Sequence, residues 1–149
     1  MSKDALKSLT EWFEIYIKHR DLILKKLVSI DIKENHLNIT FKDKVQDCFV
    51  YLNAKNIDFE ELKKYKNPCL VLLNSEGNFS HILTEWSKCI TIPHLCIYFV
   101  NPFSELDKKW IVFPYTHHQI SEEESLAKGL RALHESVEAI DEETYSLKV

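Results

Sequence analysis

The stretch LNITFKDKVQDCFVYLNAKN, residues 37–56, decides the fold. Apolar and polar side chains alternate over residues 37–41, which predicts a strand with one buried face. A turn is expected at residues 43–44, and the apolar run at 48–54 predicts a second strand. Residues 28–32 alternate in the same way just upstream. The sequence therefore predicts three consecutive strands in a meander.

The flanking segments predict how the meander is covered. Residues 2–27 carry apolar side chains at three- and four-residue steps, the pattern of one long amphipathic helix. Downstream, the predicted elements are a helix at 58–65, a buried strand at 69–74, a helix at 78–89, strands at 94–101 and 109–115, and a helix starting at residue 121 with Glu124 as its capping partner. The order α-β-β-β-α-β-α-β-β-α predicts an α/β fold, with a mixed central sheet and helices on both faces.

Length and composition predict one domain at residues 1–140, followed by an acidic, flexible tail at 141–149. No apolar run approaches the roughly 20 residues that span a bilayer, and the N-terminal residues lack an apolar signal core, so a cytoplasmic location is expected. The four cysteines form no CxxC pair and are expected to be reduced and buried. Only two glycines occur, which excludes glycine-rich phosphate loops.

Charge is unevenly distributed along the chain. Residues 1–66 contain 13 Lys and Arg against 11 Asp and Glu, whereas residues 67–149 contain 6 against 12. This asymmetry permits an anionic partner on the N-terminal half. The candidate nucleic-acid-binding residues are Lys18, Arg20, Lys25, Lys26, Lys42, Lys44 and Lys55.

A long helix followed by a meander that ends in Asn53-Ala54-Lys55 resembles the core of the PD-(D/E)XK nuclease superfamily, over about residues 5–75. RecB-like nucleases and archaeal Holliday-junction resolvases belong to this superfamily. The resemblance implies a restriction-endonuclease-like core with one acid from the first helix, one from the second strand, and a Glu-x-Lys at the end of the third. In this chain the helix acid would be Glu11 or Glu14, the strand acid falls on Asn38, and Glu-x-Lys falls on residues 53–55.

Two of the three acids that the resemblance implies are therefore asparagines, Asn38 and Asn53. Magnesium binding depends on carboxylate charge, so this replacement predicts a catalytically inactive protein without a metal or other cofactor. The leading hypothesis is an accessory protein or subunit that binds nucleic acid or a nucleic-acid-processing partner.

Two alternatives remain open. One is an active, magnesium-dependent nuclease that uses Glu11 or Glu14, Asp47 and Lys55, with a β-bulge needed to turn Asp47 inward. The other is a protein-interaction domain that forms a homodimer through the first helix. A separate crevice is also considered at the end of the last strand, lined by Tyr115 and by His117 or His118.

Overall fold

The computed structural model of the chain describes residues 2–149, which form an α/β fold with a six-stranded mixed sheet and seven helices. The strands are β1 (Leu27–Lys33), β2 (His36–Phe41), β3 (Val45–Tyr51), β4 (Pro68–Leu73), β5 (Cys96–Val100) and β6 (Lys109–Val112). The helices are α1 (Ser2–Leu24), α2 (Phe59–Leu62), α3 (Glu76–Thr84), α4 (Trp86–Cys89), α5 (Pro114–Ile120), α6 (Glu123–Glu135) and α7 (Glu142–Lys148), and a 3₁₀ turn spans Ala54–Asn56.

The strands lie side by side in chain order. β1, β2 and β3 form the antiparallel meander, β4 and β5 continue the sheet parallel to β3, and β6 returns antiparallel to β5. The parallel crossovers run through α2 and through α3 and α4, as parallel neighbours require. β1 has a neighbour on only one side and is an edge strand.

Each face of the sheet has its own apolar core, as predicted for helices on both sides. On one face, α1 packs against alternate residues of β2 to β5, and Ile140 and Tyr145 at the C-terminal end join this core. On the other face, α2, α3, α4 and α6 cover β4, β5 and β6. β4 is buried along its whole length because both faces are covered.

Two helix boundaries differ from the sequence-based prediction. α1 ends at Leu24, three residues early, because Lys25 adopts a positive φ of 54° that reverses the chain. α6 begins at Glu123 with Glu122 as its N-cap and no side-chain cap bond, so the predicted capping box at Ser121 is wrong.

The residues after β6 form more helix than the sequence pattern indicates. The strand predicted at 109–115 ends at Val112, because Pro114 in the first turn starts helix α5. Residues 142–148, expected to be a flexible tail, form α7, and its Tyr145 is only 1% exposed. Within residues 2–149, none of the helices combines the length and the apolar character needed to cross a membrane.

Candidate functional site

The second strand of the meander places Asn38 directly opposite Asp47 on β3. Asn38 Nδ2 donates to Asp47 Oδ1 at 2.8 Å, and His36 Nε2 donates to the same oxygen at 2.8 Å. The β2 to β3 register is regular, so Asp47 lies on the face of Asn38 without any bulge. The bulge that would turn Asp47 to the other face of the sheet is therefore not present in this pair of strands. His36, which the sequence patterns did not single out, stacks on Phe49 at 4.4 Å.

Asn53 and Lys55 lie away from this cluster. Asp47, which faces Asn38, precedes Asn53 by six residues, or about 20 Å of extended strand. Asn53 is the N-cap of the 3₁₀ turn and its Oδ1 accepts from the Lys55 backbone N at 3.0 Å. The nuclease resemblance implies one site that contains Asn38, Asn53 and Lys55, and the structure does not bring these three residues together.

The acidic residues of α1 lie on the opposite side of the sheet from Asp47. α1 packs on the face formed by Leu37 and Cys48, whereas Asp47 alternates with Cys48 and points the other way. Glu14 is held by Lys18 at 2.9 Å. The alternative catalytic set of Glu11 or Glu14 with Asp47 is consequently not assembled.

The donor set around Asp47 does not fit a magnesium ion. Asp47 is the carboxylate that the Asn38 and His36 side chains contact, and one of its oxygens already accepts two hydrogen bonds. Magnesium prefers carboxylates in octahedral geometry, and the Asn38 amide lends no charge. Among the described residues, no three His, Cys, Asp or Glu side chains converge as metal ligands.

A cavity of about 570 Å³ lies where β3 and β4 end. Lys55 lines it from one side, Glu76 and Gly77 line it from the start of α3, and Asp141 lines it from the start of α7. Arg131 holds the Glu76 carboxylate with contacts of 2.7 and 3.0 Å, and His134 Nε2 donates to it at 3.0 Å. The Arg131 hydrogen bond, with a smaller contribution from His134, lowers the pKa of Glu76. Arg131 and His134 therefore compensate the negative charge of Glu76.

Buried asparagines fix the strand ends beneath this cavity. Asn74 Nδ2 donates to the carbonyls of His134 and Val137, and its Oδ1 accepts from Trp110 Nε1 at 2.8 Å. Asn74 Oδ1 also lies 2.7 Å from His134 Nδ1. The side-chain partners of Asn74 lie 36 to 63 residues away along the chain, so no local sequence pattern marks this role.

The Glu76 ion pairs make the stability of the fold depend on pH. The pKa of Glu76 is lowered in the folded chain, so its contribution is complete above the unfolded pKa and is lost as the pH falls through the folded pKa. We expect Glu76→Gln to lower the free energy of unfolding at neutral pH by under about 1 kcal/mol, since this side chain is 61% exposed. Urea titrations of both proteins from pH 7 to acid should show the difference vanishing; a constant difference would contradict this assignment.

Four of the seven predicted nucleic-acid-binding residues come together at the other end of the sheet. The group of Lys25, Lys26, Lys42 and Lys44, here called the basic end, joins the end of α1 to the β2–β3 turn. The backbone N of Lys42 donates to the carbonyl of Lys26 at 2.8 Å, which places the two segments side by side. All four side chains are exposed.

Two acidic residues, Asp21 and Asp43, lie at the basic end, and both contact neighbouring groups. Asp21 Oδ1 accepts from the backbone N of Lys26 and of Leu27 at 2.7 and 2.8 Å, which closes the turn after α1. Asp43 lies 3.5 Å from Lys26 Nζ. Together with the four lysines these acids leave a local charge of +2.

The other predicted basic residues have different surroundings. Lys18 pairs with Glu14, and Arg20 is half buried, where it donates to the Tyr98 hydroxyl at 2.8 Å. Lys55 lines the cavity at the opposite end of β3. Lys18, Arg20 and Lys55 are therefore not part of the basic end.

Tyr115, His117 and His118 do not lie at a strand end. All three are on helix α5, which follows Pro114. His118 Nδ1 accepts from Trp86 Nε1 at 3.3 Å, whereas His117 stacks parallel to the Phe113 ring at 6.4 Å. The two imidazoles contact different partners, and they lie on α5 rather than at the end of the last strand as predicted. A crevice lined by Tyr115 and one of these histidines stays a prediction.

The chain was compared with known proteins in three ways. No protein-family model, curated protein or solved structure matches it.

Proposed function

We propose that this chain is a non-catalytic binding module with a restriction-endonuclease-like core, and that it binds nucleic acid through the basic end. It would act alone or as a subunit of a nucleic-acid-processing assembly. The observation that carries the binding proposal is the grouping of Lys25, Lys26, Lys42 and Lys44 at one end of the sheet.

The arrangement of the strands supports the proposed core. An antiparallel meander preceded by a long helix continues into two strands parallel to β3, and α1 covers one face of the meander. This is the frame that the PD-(D/E)XK resemblance implies. The absence of catalysis is inferred from the positions where the resemblance implies acids, since Asn38 and Asn53 are uncharged and the register pairs Asn38 with Asp47 rather than with Asn53.

Electrostatics supports an anionic ligand at the basic end. The chain as a whole carries a net charge of −4, so a local charge of +2 there is a distinct feature. Exposed lysines bind phosphates mainly through charge and release of counterions, which makes binding weaken as salt rises. Four lysines without base-reading aromatics beside them predict binding with little sequence preference.

The experiment is a binding titration of the full chain with labelled single-stranded, duplex and four-way-junction DNA and with RNA, in EDTA and at several salt concentrations. We expect metal-free binding that weakens with salt. No binding at low salt would overturn the nucleic-acid proposal. Magnesium-dependent cleavage by clean wild-type protein would overturn the non-catalytic one.

A charge reversal locates the interface. The double variant Lys42→Glu/Lys44→Glu is expected to weaken binding by at least about tenfold and to lower the salt slope by about 2, since each lysine contacts about one phosphate. The matched control is Lys128→Glu/Lys148→Glu, which makes the same change in net charge at exposed positions of α6 and α7, helices that hold no residue of the basic end. Equal losses in both variants would show that only total charge matters.

A further inference from the structure

The outer edge of β1 has no strand beside it. β1 pairs with β2 alone, so the backbone groups along its other side have no partner within the sheet. Val28 and Ile32 on this strand are 62% and 41% exposed. An exposed edge with aliphatic side chains is a site where another strand can pair.

A groove runs between this edge and the N-terminal half of α1. Its volume is about 890 Å³ and its floor is largely apolar, formed by Leu6, Ile15 and Ile32. Its charged residues are Asp4, Glu11, Glu14 and Glu34, against the single Lys7. An occupant that complements the groove is therefore aliphatic and basic.

The C-terminal end of α1 and the residues after it are both aliphatic and basic. Leu22, Ile23 and Leu24 are 69%, 86% and 51% exposed, although they are aliphatic. Lys25 and Lys26 follow them directly and are exposed as well. Residues 22–26, here called the aliphatic-basic segment, thus match the groove in hydrophobicity and are opposite to it in charge.

We propose that two copies of this chain form a two-fold dimer through β1 and α1. The aliphatic-basic segment and the acidic groove lie at opposite ends of α1, so an antiparallel arrangement of two α1 helices brings each segment to the groove of the other copy. Both contacts form at once, which is the property of a closed, isologous interface. The same two-fold axis makes the two β1 strands antiparallel.

The sequence of β1 fits this pairing. Regular pairing is confined to residues 29–33, because a bulge lies between Leu27 and Ser29. An axis at Ile30 brings Lys26, which precedes β1, close to Glu34 of the other copy, which follows β1, and avoids the contact of two Asp31 side chains that an axis at Asp31 would create. Both Lys26 and Glu34 are exposed.

A second copy fits this surface better than nucleic acid does. The groove carries four acidic residues and would repel the phosphates of a nucleic acid. The exposed Leu22 and Ile23 carry no charge that could attract them. The dimer does not require the proposed nucleic-acid binding, although it uses Lys25 and Lys26 of the basic end for the contact with the acidic groove. Lys42 and Lys44 lie on the β2–β3 turn, outside the β1 pairing, and stay available to phosphate in the dimer.

The first test is the mass of the full chain in solution, by sedimentation equilibrium or light scattering. We expect a dimer at about 50 μM, which corresponds to a micromolar or tighter dissociation constant. A monomer at that concentration would overturn the proposal, whatever the nucleic-acid titration shows.

Two variants then test the interface. Ile23→Glu places a negative charge at an 86% exposed position of the segment that enters the acidic groove, so it should leave the folded monomer intact and raise the dissociation constant at least about tenfold. The control Leu147→Glu makes the corresponding change at a 75% exposed position on α7 and should dimerise like wild type. A dimer that tolerates Ile23→Glu would assemble through some other surface.

Charge reversal supplies a rescue test. Glu34→Lys places two lysines together at each end of the paired strands, and Lys26→Glu places two glutamates there; each single variant is expected to weaken the dimer. The double variant restores opposite charges and should recover most of the lost affinity. Additive weakening in the double variant would contradict the axis at Ile30.

Discussion

Replacement of Asn74 by leucine is expected to lower the free energy of unfolding by about 3–5 kcal/mol. The leucine cannot accept from Trp110 Nε1 or His134 Nδ1, and it leaves the carbonyls of His134 and Val137 without donors. Asn74 is fully buried, so water cannot replace these partners at low cost. Urea denaturation followed by tryptophan fluorescence measures the difference.

The control for this prediction is Asn56→Ala. Asn56 is exposed at the end of the 3₁₀ turn, and its removal should change the free energy of unfolding by at most about 0.5 kcal/mol. A loss below about 1 kcal/mol for Asn74→Leu would show that the segment from α6 to α7 is held in place mainly by apolar packing at Val137 and Ile140.

The sequence was sufficient to predict the meander and the two-sided sheet, because alternation at 37–41 and the unbroken apolar run at 69–73 report burial directly. Asp58 was also predicted correctly as the cap of α2, where it accepts from the backbone N of Glu60 and Glu61. Such local signals do not depend on distant parts of the chain.

The helices after β6 were not predictable in the same way. Pro114 is compatible with a turn or with the first turn of a helix. In the folded chain α5 forms contacts with α4 and with α6. α7 has an acidic, polar sequence, and Tyr145 anchors it with a hydroxyl 3.3 Å from Ser8 of α1. A pairing across 137 residues leaves no local pattern in the sequence.

The spacing of the candidate nuclease residues along the sequence did not predict which of them lie opposite each other in the sheet. Asn38 and Asn53 match positions in a linear motif, but the hairpin register places Asp47, rather than Asn53, opposite Asn38. Register follows from which face of each strand is buried, which the motif does not encode. The lysines of the basic end were predicted residue by residue, yet their grouping depends on the bond between the Lys42 and Lys26 backbones.

Phe13 is the side chain whose truncation we expect to weaken α1 most. It is fully buried between α1 and the sheet, with its ring edge against Tyr98 at 5.1 Å. Phe13→Ala should lower the free energy of unfolding by about 3–5 kcal/mol, through lost apolar contact and the cavity left behind. His19→Ala on the same helix is the control, with an expected change within about 0.5 kcal/mol because His19 is exposed.

Three thiols beneath α1 provide an independent measurement of this effect. Cys48, Cys69 and Cys96 lie side by side across β3, β4 and β5, and burial raises the pKa of Cys69 well above its usual value. They react with a thiol reagent only when the structure opens, so Phe13→Ala should accelerate their labelling by about 10²- to 10³-fold. His19→Ala should leave the rate within about threefold of wild type. Equal labelling rates in wild type and Phe13→Ala would mean that the thiols become exposed without release of α1.

Cys89 lies in the core on the other face of the sheet and distinguishes release of α1 from unfolding of the whole domain. It stays protected if only α1 detaches, and it reacts with the other cysteines if the whole domain unfolds.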